Sequence, residues 1–259
     1  MNDLVSIVIP NHDLGSFVGE AIDSALAQTH RELEIVVVDD GSGDDSVARI
    51  RAHPGLATGA FRLLEQANAG VCGARNAGAA VCRGAYLLFL DADDVLDRRY
   101  VEACLGALRA SPLPTAYAYT AMQHFGASQE LDPSRPFDPA WLLTHNFVNA
   151  SALIRREAFQ AVGGWNPDFR TGHEDHELWI RMLDRGYVGV LVPEPLLRYR
   201  RHPGGSRNSL SVWKRRRLLA DVAVRHPRMY RSWLRWHPLR AAAARRRRQR
   251  LHPGHGASP

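Results

Sequence analysis

Short, uninterrupted apolar runs alternate with helix-like segments along the first 110 residues. Four runs have the length and the β-branched content of buried strands: residues 5–10, 34–39, 61–66 and 85–90. Between them, apolar residues recur at helical spacing, as in residues 17–26 and around Cys72 to Cys82. Strands that are apolar on both faces and alternate with helices are typical of a mostly parallel sheet covered by helices. The sequence therefore predicts an α/β fold.

The pattern loosens between residues 111 and 150. This segment is rich in proline, serine and aromatic residues, which is typical of a variable loop region, and it contains one predicted strand near Ala116 to Ala121. Apolar residues at helical spacing then predict an amphipathic helix within GHEDHELWIRMLDRG at 172–186. We expect one α/β domain over residues 1–210 and a basic, helical, partly disordered extension over residues 211–259.

Charge is distributed unevenly along the chain. The formal net charge is +6, yet the segment from Arg198 onward holds 18 basic residues and one acidic residue, which leaves 15 basic and 26 acidic residues before it. The arginine clusters 215–217 and 245–248 stand among tryptophans and have three interpretations: attachment to an anionic membrane surface, nucleic-acid binding, or a solvated arginine-rich end. We expect no nucleic-acid partner.

Composition narrows the class of protein and its location. A hydrophobic fraction of 45% suits a globular core, and no run approaches the ~18 apolar residues that span a bilayer. The N-terminal MNDLVSIVIPNHD lacks the basic region of a secretion signal. The three cysteines show no metal spacing and are expected to be free thiols. We therefore expect a cytoplasmic protein, peripheral on the inner face of the plasma membrane if the basic end binds lipid.

Polar clusters follow three of the predicted strands. They are PNHD at 10–13, DDGSGDD at 39–45 and DADD at 91–94. Because ligands of such sheets bind outside the carboxyl ends of the strands, these clusters should converge on one crevice. The glycines of NAGVCGARNAG permit close approach of the backbone, and Arg75 and Asn76 in this segment offer side-chain donors.

The aspartates of DADD raise the question of a bound cation. Three carboxylates at Asp91, Asp93 and Asp94 repel one another and are costly to desolvate. A divalent cation, Mn²⁺ or Mg²⁺, relieves that repulsion and binds carboxylates together with diphosphate oxygens. A carboxylate at Asp40 could accept a hydrogen bond from the ring N–H of uracil, thymine or guanine, which cytosine lacks. Taken alone, however, paired aspartates at a strand end also fit a helix cap.

Seven segments in this order make the pattern specific: VSIVIPNHD, VVVDDGS, NAGVCGARNAG, LFLDADD, GGWNPDF, EDHELWIRM and YRRHPGGS. The set resembles glycosyltransferase family 2, with its nucleotide-sugar-binding GT-A fold, over residues 4–208. The resemblance implies metal-dependent, inverting transfer of a sugar from a nucleoside diphosphate to an acceptor hydroxyl. The expected donor is a UDP- or dTDP-sugar, or else a GDP-sugar. The expected acceptor is a glycan or a lipid-linked acceptor in cell-surface polysaccharide or glycolipid synthesis.

The resemblance also implies roles for individual residues. The donor-binding set is Pro10, Asn11, His12, Asp39, Asp40, Asn68, Gly70, Arg75, Asn76 and Asp91. Asp93 would ligate the cation, and His202 would reach the cation or the diphosphate. In GHEDHELW, Asp175 would act as catalytic base, and Glu174 would help to position it. The aromatic face of Trp165 would suit a sugar.

Simpler structural roles remain open for several of these residues. Asp94 could cap a helix beginning near Asp97, Trp165 could serve packing alone, and His202 could be structural. The acidic pair at 174–175 could merely suit the dipole of a helix N-terminus, and Glu177 is expected to be solvated or salt-bridged.

Two other functions also fit parts of the pattern. One is a catalytically silent nucleotide- or glycan-binding module, against which the presence of both the metal aspartate and the candidate base argues. The other is a sugar nucleotidyltransferase. Such an enzyme usually carries a glycine-rich loop with a basic residue after the first strand, and IPNHDLGSF has none.

Overall fold

The structure, a computed structural model, describes residues 3–169, 172–202 and 212–236. The strands are β1 (Val5–Asn11), β2 (Leu33–Asp39), β3 (Arg62–Glu65), β4 (Tyr86–Phe89), β5 (Val95–Leu96), β6 (Thr115–Gly126), β7 (Leu131–Asp132), β8 (Leu153–Arg155) and β9 (Val188–Arg201). The helices are α1 (Gly15–Leu26), α2 (Ser46–Ala52), α3 (Pro54–Ala57), α4 (Gly70–Val81), α5 (Tyr100–Ala110), α6 (Pro139–Leu142), α7 (Arg156–Ala161), α8 (Glu174–Asp184), α9 (Val212–Arg225) and α10 (Pro227–Trp236). The four strands expected in the first half all form, each within one residue of its predicted bounds.

The strands join one sheet in the order β3-β2-β1-β4-β8-β6-β9-β5, with β7 beside β6. The first four strands are parallel because a helix crosses over between successive strands. Beyond β4 the sheet is mixed: β8 is antiparallel to β4 and β6, whereas β9 runs parallel to β6. The predicted α/β fold is therefore confirmed, and the carboxyl ends of β1, β2 and β4 lie at one edge.

The core occupies both faces of the sheet. Alternate residues of β1 point to opposite sides, so that Ile7 and Ile9 belong to the cluster packed with α1 and α5, whereas Val8 belongs to the cluster packed with α4 and α8. All three side chains are fully buried. Burial on both faces explains why the strand sequences are continuously apolar.

Helices α9 and α10 pack against the rest of the domain. Val222 is fully buried in the cluster that includes α8. The ring Nε2 of His226 lies 3.2 Å from Glu177 Oε1, and the hydroxyl of Tyr230 donates a 2.8 Å hydrogen bond to the carbonyl of Leu143. The expected boundary near residue 210 falls outside the described residues, as do residues 237–259 with the cluster 245–248. Residues 212–236 thus form part of the folded body.

Two expectations from composition can be compared with the structure. Cys72, Cys82 and Cys104 are buried free thiols, as predicted. No helix among the described residues has both the length and the apolar character needed to cross a bilayer.

Candidate active site

A cavity of about 860 Å³ opens at the carboxyl edge of β1, β2 and β4. The side chains from the predicted site that line it are Pro10, Asn11, His12, Asp40, Asn68, Gly70, Arg75, Asp91, Asp93, Glu174 and Asp175. Four further predicted residues, Asp39, Asn76, Trp165 and His202, lie outside this lining. The structure therefore gathers the strand-end clusters and the start of α8 around one space.

Asp39 fixes the loop after β2 through three hydrogen bonds. Its Oδ1 accepts hydrogen bonds from Asn11 Nδ2 at 2.9 Å and from the Ser42 hydroxyl at 2.6 Å. Its Oδ2 accepts from the backbone N–H of Ser42 at 3.1 Å. These bonds join the ends of β1 and β2, where Asn11 and Asp39 are register partners. Asp39 thus supports the loop that carries Asp40.

Asp40 presents one oxygen to the cavity. Its Oδ1 accepts hydrogen bonds from Gln66 Nε2 at 2.7 Å and from the backbone N–H of Ala69 at 2.8 Å. No donor among the described residues bonds to its Oδ2. The side chain is 3% exposed and is held in one orientation. Its free oxygen can therefore accept a hydrogen bond from a ring N–H.

Asp94 ties the DADD turn to β9. Its Oδ1 accepts a 2.8 Å hydrogen bond from the backbone N–H of Arg200, and the Nε of Arg200 donates to the carbonyl of Asp93 at 2.8 Å. Burial and the neighbouring carboxylates raise the pKa of Asp94 well above its ordinary value. The structure contradicts the interpretation of Asp94 as a helix cap, because α5 begins at Tyr100. The carboxylate that accepts from a backbone N–H just before this helix is that of Asp97, and the donor is Arg99.

Asp93 and His202 form the candidate metal-binding pair. The Nε2 of His202 lies 3.3 Å from Asp93 Oδ2, and its ring packs beside Phe17 at a centroid distance of 4.9 Å. Burial, and then the charge of Asp91, raises the pKa of Asp93. The described residues contain no group of three or more metal-binding side chains. A carboxylate completed by substrate phosphates suits Mn²⁺ or Mg²⁺, so Asp93 fits such a cation, and the His202 imidazole lies beside it.

Arg75 is buried and lines the cavity. Its Nη2 donates to Asp91 Oδ1 at 2.6 Å, and its Nη1 lies 3.4 Å from Glu174 Oε1. Burial acts to lower the pKa of Arg75, but the carboxylates of Asp91 and Glu174 more than offset it and raise that pKa above its ordinary value. The guanidinium is therefore a fixed positive charge between the two sides of the cavity.

Trp165 lies under Arg75 instead of on the cavity surface. Its indole is 1% exposed, meets the ring of Phe89 edge-on at 5.2 Å and carries the Arg75 guanidinium 4.4 Å from its centroid. Asn76 holds this loop: its Oδ1 accepts from the Trp165 N–H at 2.9 Å, and its Nδ2 donates to the Trp165 carbonyl at 2.8 Å. Both residues lie outside the cavity lining: Trp165 packs under the Arg75 guanidinium, and Asn76 holds the backbone of Trp165.

Asp175 lies in the first turn of α8 and lines the cavity. Its Oδ2 accepts a 2.8 Å hydrogen bond from Asn146 Nδ2, and its Oδ1 accepts from the backbone N–H of His176 at 2.8 Å. Burial, and then the charge of Glu174, raises the pKa of Asp175 to about 6. A carboxylate with such a pKa is suited to take a proton near neutral pH.

Two neighbours on α8 have structural roles. Burial lowers the pKa of His176 to about 4, so the neutral ring donates from Nε2 to the Leu142 carbonyl at 2.5 Å. Glu177 is 2% exposed and accepts from Arg181 at 2.8 Å, with His226 on its other side. Glu177 is therefore salt-bridged, as expected, but it is not solvated.

Sequence reasoning missed the segment that faces Asp175. Residues lining the cavity between α6 and β8 include Thr144, His145, Asn146, Phe147 and Asn149. The sequence offers no comparable signal for them, because THNFVN precedes an apolar strand, whereas the polar clusters 10–13, 39–45 and 91–94 follow theirs.

Solved structures share the architecture of this chain. TarS residues 1–349 from S. aureus, in complex with UDP-GlcNAc, match 85% of this chain and 66% of that chain with a TM-score of 0.66 and 15% identity. A mannosyltransferase from Pyrobaculum calidifontis, in complex with GDP-Man and Mn²⁺, matches 78% of this chain and 58% of that chain with a TM-score of 0.62 and 18% identity. At these identities the likeness shows the fold, which is GT-A.

Sequence comparison extends the likeness to the family. An Escherichia coli chondroitin synthase is 38% identical over 191 residues, which is 71% of this chain and 27% of that protein. The O-antigen biosynthesis protein RfbC of Myxococcus xanthus is 30% identical over 74% of this chain and 15% of its own length. The chain thus spans about a quarter or less of these relatives. The model of glycosyl transferase family 2 matches residues 6–163, and that of glycosyl transferase family group 2 matches residues 86–250, so the chain belongs to glycosyl transferase family 2.

Proposed function

We propose that this glycosyltransferase moves a sugar from a nucleoside diphosphate to an acceptor hydroxyl with inversion, and that it depends on a divalent cation, Mn²⁺ or Mg²⁺. The observation that carries the proposal is the position of Asp175. Its carboxylate, with a pKa near 6, lines the same cavity as the strand-end aspartates Asp40, Asp91 and Asp93. Donor-binding groups and a candidate base therefore face one another across one space.

The donor would occupy the β1–β2–β4 side of this space. The free Oδ2 of Asp40 would accept the ring N–H of the base, which favours a UDP- or dTDP-sugar and also allows a GDP-sugar. Pro10, Asn11 and His12 would line the nucleotide pocket, and Asp91, fixed by Arg75, would lie near the ribose or the sugar. The UDP-GlcNAc, UDP and GDP-Man complexes of the structural neighbours support this arrangement.

The charge of the cavity supports the metal dependence. Seven carboxylates line it, at Asp40, Asp91, Asp93, Asp94, Asp132, Glu174 and Asp175, whereas Arg75 is the one Lys or Arg among the described lining residues. An anionic diphosphate would meet net repulsion there. Asp93 and His202 would hold the cation, which when bound neutralises the diphosphate and stabilises charge on the leaving phosphate.

Asp175 would accept the proton of the acceptor hydroxyl. The acceptor oxygen forms a bond to the anomeric carbon from the face opposite the phosphate, and the bond from that carbon to the phosphate oxygen breaks. The nucleoside diphosphate leaves with the bonding electrons, and the proton passes to a carboxylate oxygen of Asp175. Because attack and departure occur on opposite faces, the configuration of the anomeric carbon is inverted.

The setting we propose is synthesis of a cell-surface polysaccharide or glycolipid, with a glycan or lipid-linked acceptor. The names of the chondroitin synthase and of the O-antigen biosynthesis protein support this setting. We place the enzyme in the cytoplasm, and its basic end, beyond the described residues, would contact the anionic inner face of the plasma membrane.

A thermal-stability panel tests the donor site. UDP, dTDP, GDP and CDP are each added with and without Mn²⁺, and a ligand at 100 times its dissociation constant adds about 2.7 kcal/mol of stability. We expect a metal-dependent shift with one nucleotide and its loss in Asp93→Ala. No shift with any nucleotide overturns the donor site.

Turnover assays separate the remaining alternatives. Transfer of sugar with release of nucleoside diphosphate supports the proposed reaction. Binding without turnover of the matching nucleotide sugars, tried with a panel of glycan and lipid-linked acceptors, identifies a silent module. Release of pyrophosphate from a nucleoside triphosphate and a sugar phosphate identifies a nucleotidyltransferase.

A further inference from the structure

We propose that Asn146 is a positioning residue for Asp175, which orients its carboxylate toward the acceptor and holds it in the proton-accepting form. The proposal rests on the proposed function, because it concerns the candidate base of that reaction. No sequence pattern pointed to Asn146. The structure does so through a single contact, the 2.8 Å hydrogen bond from its Nδ2 to Asp175 Oδ2.

The segment that carries Asn146 is fixed to α8 on either side of it. The Nε2 of His176 donates to the carbonyl of Leu142, and the indole Nε1 of Trp179 donates to the carbonyl of Val148 at 3.0 Å. Both donors are fully buried. Asn146 lies between these two anchor points, so its amide is held against the first turn of α8. A contact fixed in this way needs little reorganisation when the acceptor arrives.

The chemistry of the amide suits a base that gains and loses a proton. The Nδ2 group donates to the ionised carboxylate and thereby favours the charged form. After proton transfer, a half-turn of the amide would let Oδ1 accept a hydrogen bond from the new carboxylic acid. Asn146 can therefore serve Asp175 in both states, which neither an alanine nor a carboxylate at this position can do.

The other charges around Asp175 are defined as well. Glu174, on the same helix, disfavours the ionised form, whereas Arg75, on α4, favours it. His176 is buried and neutral, and His145 and His173 line the same cavity. Burial and Glu174 both raise the pKa of Asp175. Among the groups that lower this pKa, Asn146 has the largest effect, through its hydrogen bond.

Three variants test the proposal: Asn146→Ala removes the donor, Asn146→Asp replaces it with a carboxylate of the same shape, and Asn166→Ala is the control. Asn166 is an amide outside the cavity whose Oδ1 accepts from the N–H of Asp168. In pH–rate profiles of nucleoside diphosphate release, we expect the acid limb to move up by about one pH unit in Asn146→Ala, and further in Asn146→Asp. The rate should fall about fivefold at pH 6 and recover near pH 8.5.

A second readout needs no activity. The difference in thermal midpoint between each protein and its Asp175→Asn derivative, followed from pH 4 to pH 9, reports the titration of Asp175 in the folded state. We expect its inflection near pH 6 in the parent and at higher pH in Asn146→Ala, with Asn166→Ala unchanged. An inflection that stays in place with Asn146→Ala and Asn146→Asp overturns the proposal, even if the parent enzyme is active. A parent that titrates as expected but turns over no donor overturns the proposed function and leaves the Asn146–Asp175 coupling intact.

Discussion

The guanidinium of Arg75 donates a 2.6 Å hydrogen bond to the carboxylate of Asp91 from a position that is almost completely buried. Its second nitrogen reaches Glu174, the residue before the candidate base. One cation therefore joins the end of β4, on the proposed donor side of the cavity, to the start of α8, on the proposed acceptor side. Because both carboxylates depend on the same charge, the two sides of the cavity cannot move apart without leaving a buried charge unpaired.

Arg75→Met should destabilise the protein by about 3–5 kcal/mol, because it leaves two partly or fully buried carboxylates without their cation. Arg99→Ala is the matched control, since it removes an exposed arginine that pairs with Glu194 at 2.8 Å and should cost about 1 kcal/mol or less. Urea denaturation measures both. Equal effects of the two substitutions would contradict the structural role of Arg75.

The sequence was sufficient to predict that the strand-end clusters line one cavity. Parallel strands place their carboxyl ends at one edge, so Asn11, Asp40 and Asp91 could be assigned to one crevice without knowledge of any loop. The same logic could not reach Asn146, because a segment between a helix and an antiparallel strand has no register that fixes where it lies. Its position depends on hydrogen bonds from His176 and Trp179, which are long-range contacts.

The positions of Trp165, Asn76 and Asp94 share a physical cause. Trp165 follows two glycines with positive φ, and Asn76 clamps its backbone, so the indole turns into the core. From the sequence alone, an aromatic residue near a predicted site fits a substrate contact and a packing role in the core equally well. Asp94 likewise has the sequence position of a helix cap, but its carboxylate accepts a hydrogen bond from the backbone N–H of Arg200 in β9. In each case the deciding partner lies more than 80 residues away in the chain.

Trp165→Ala should lower stability by about 3–5 kcal/mol, as expected for removal of a large buried aromatic side chain. The loss follows from its packing against Phe89 and Arg75. Thermal or chemical unfolding measures the effect. A raised KM for the sugar substrates with unchanged stability would contradict the buried position and restore the predicted substrate contact.

Gly78→Ala should destabilise the protein by about 1–3 kcal/mol through overpacking. A Cβ at this position of α4 would clash with Val8 Cγ1 and would lie 3.0 Å from Val38 Cγ2, because the helix packs closely on β1 and β2. Gly106→Ala in α5 is the control, since nothing lies within 4 Å of its added Cβ. That substitution should stabilise by about 0.5–1 kcal/mol through helix propensity. Denaturant midpoints distinguish the two signs.

Asp175→Asn should abolish transfer, leave nucleotide binding intact and increase stability at neutral pH. The pKa of Asp175 is raised from 3.8 to about 6 on folding, so the folded protein holds this proton more tightly than the unfolded chain. The stability from the bound proton is therefore complete below pH 4 and is lost as the pH rises through 6. The asparagine variant avoids that loss and should gain up to about 3 kcal/mol over the parent at pH 8. Thermal midpoints at pH 4 and pH 8 give the sign, and a variant less stable at pH 8 than the parent would contradict it.

Two truncations separate the folded part of the C-terminal region from the part proposed to bind membranes. Deletion of residues 212–259 should lower stability by about 3 kcal/mol or more, because it uncovers the core around Val222 and removes the His226 partner of the buried Glu177.

Deletion of residues 237–259 leaves those contacts in place and should preserve the thermal midpoint. It removes the arginine cluster 245–248, in which each arginine near the membrane surface would contribute about 1 kcal/mol of attraction. Sedimentation with phosphatidylserine-containing vesicles should therefore decrease in the shorter deletion at unchanged stability. Unchanged sedimentation would overturn the proposed membrane contact, whereas a large loss of stability on removing residues 237–259 alone would show that the folded body extends past α10.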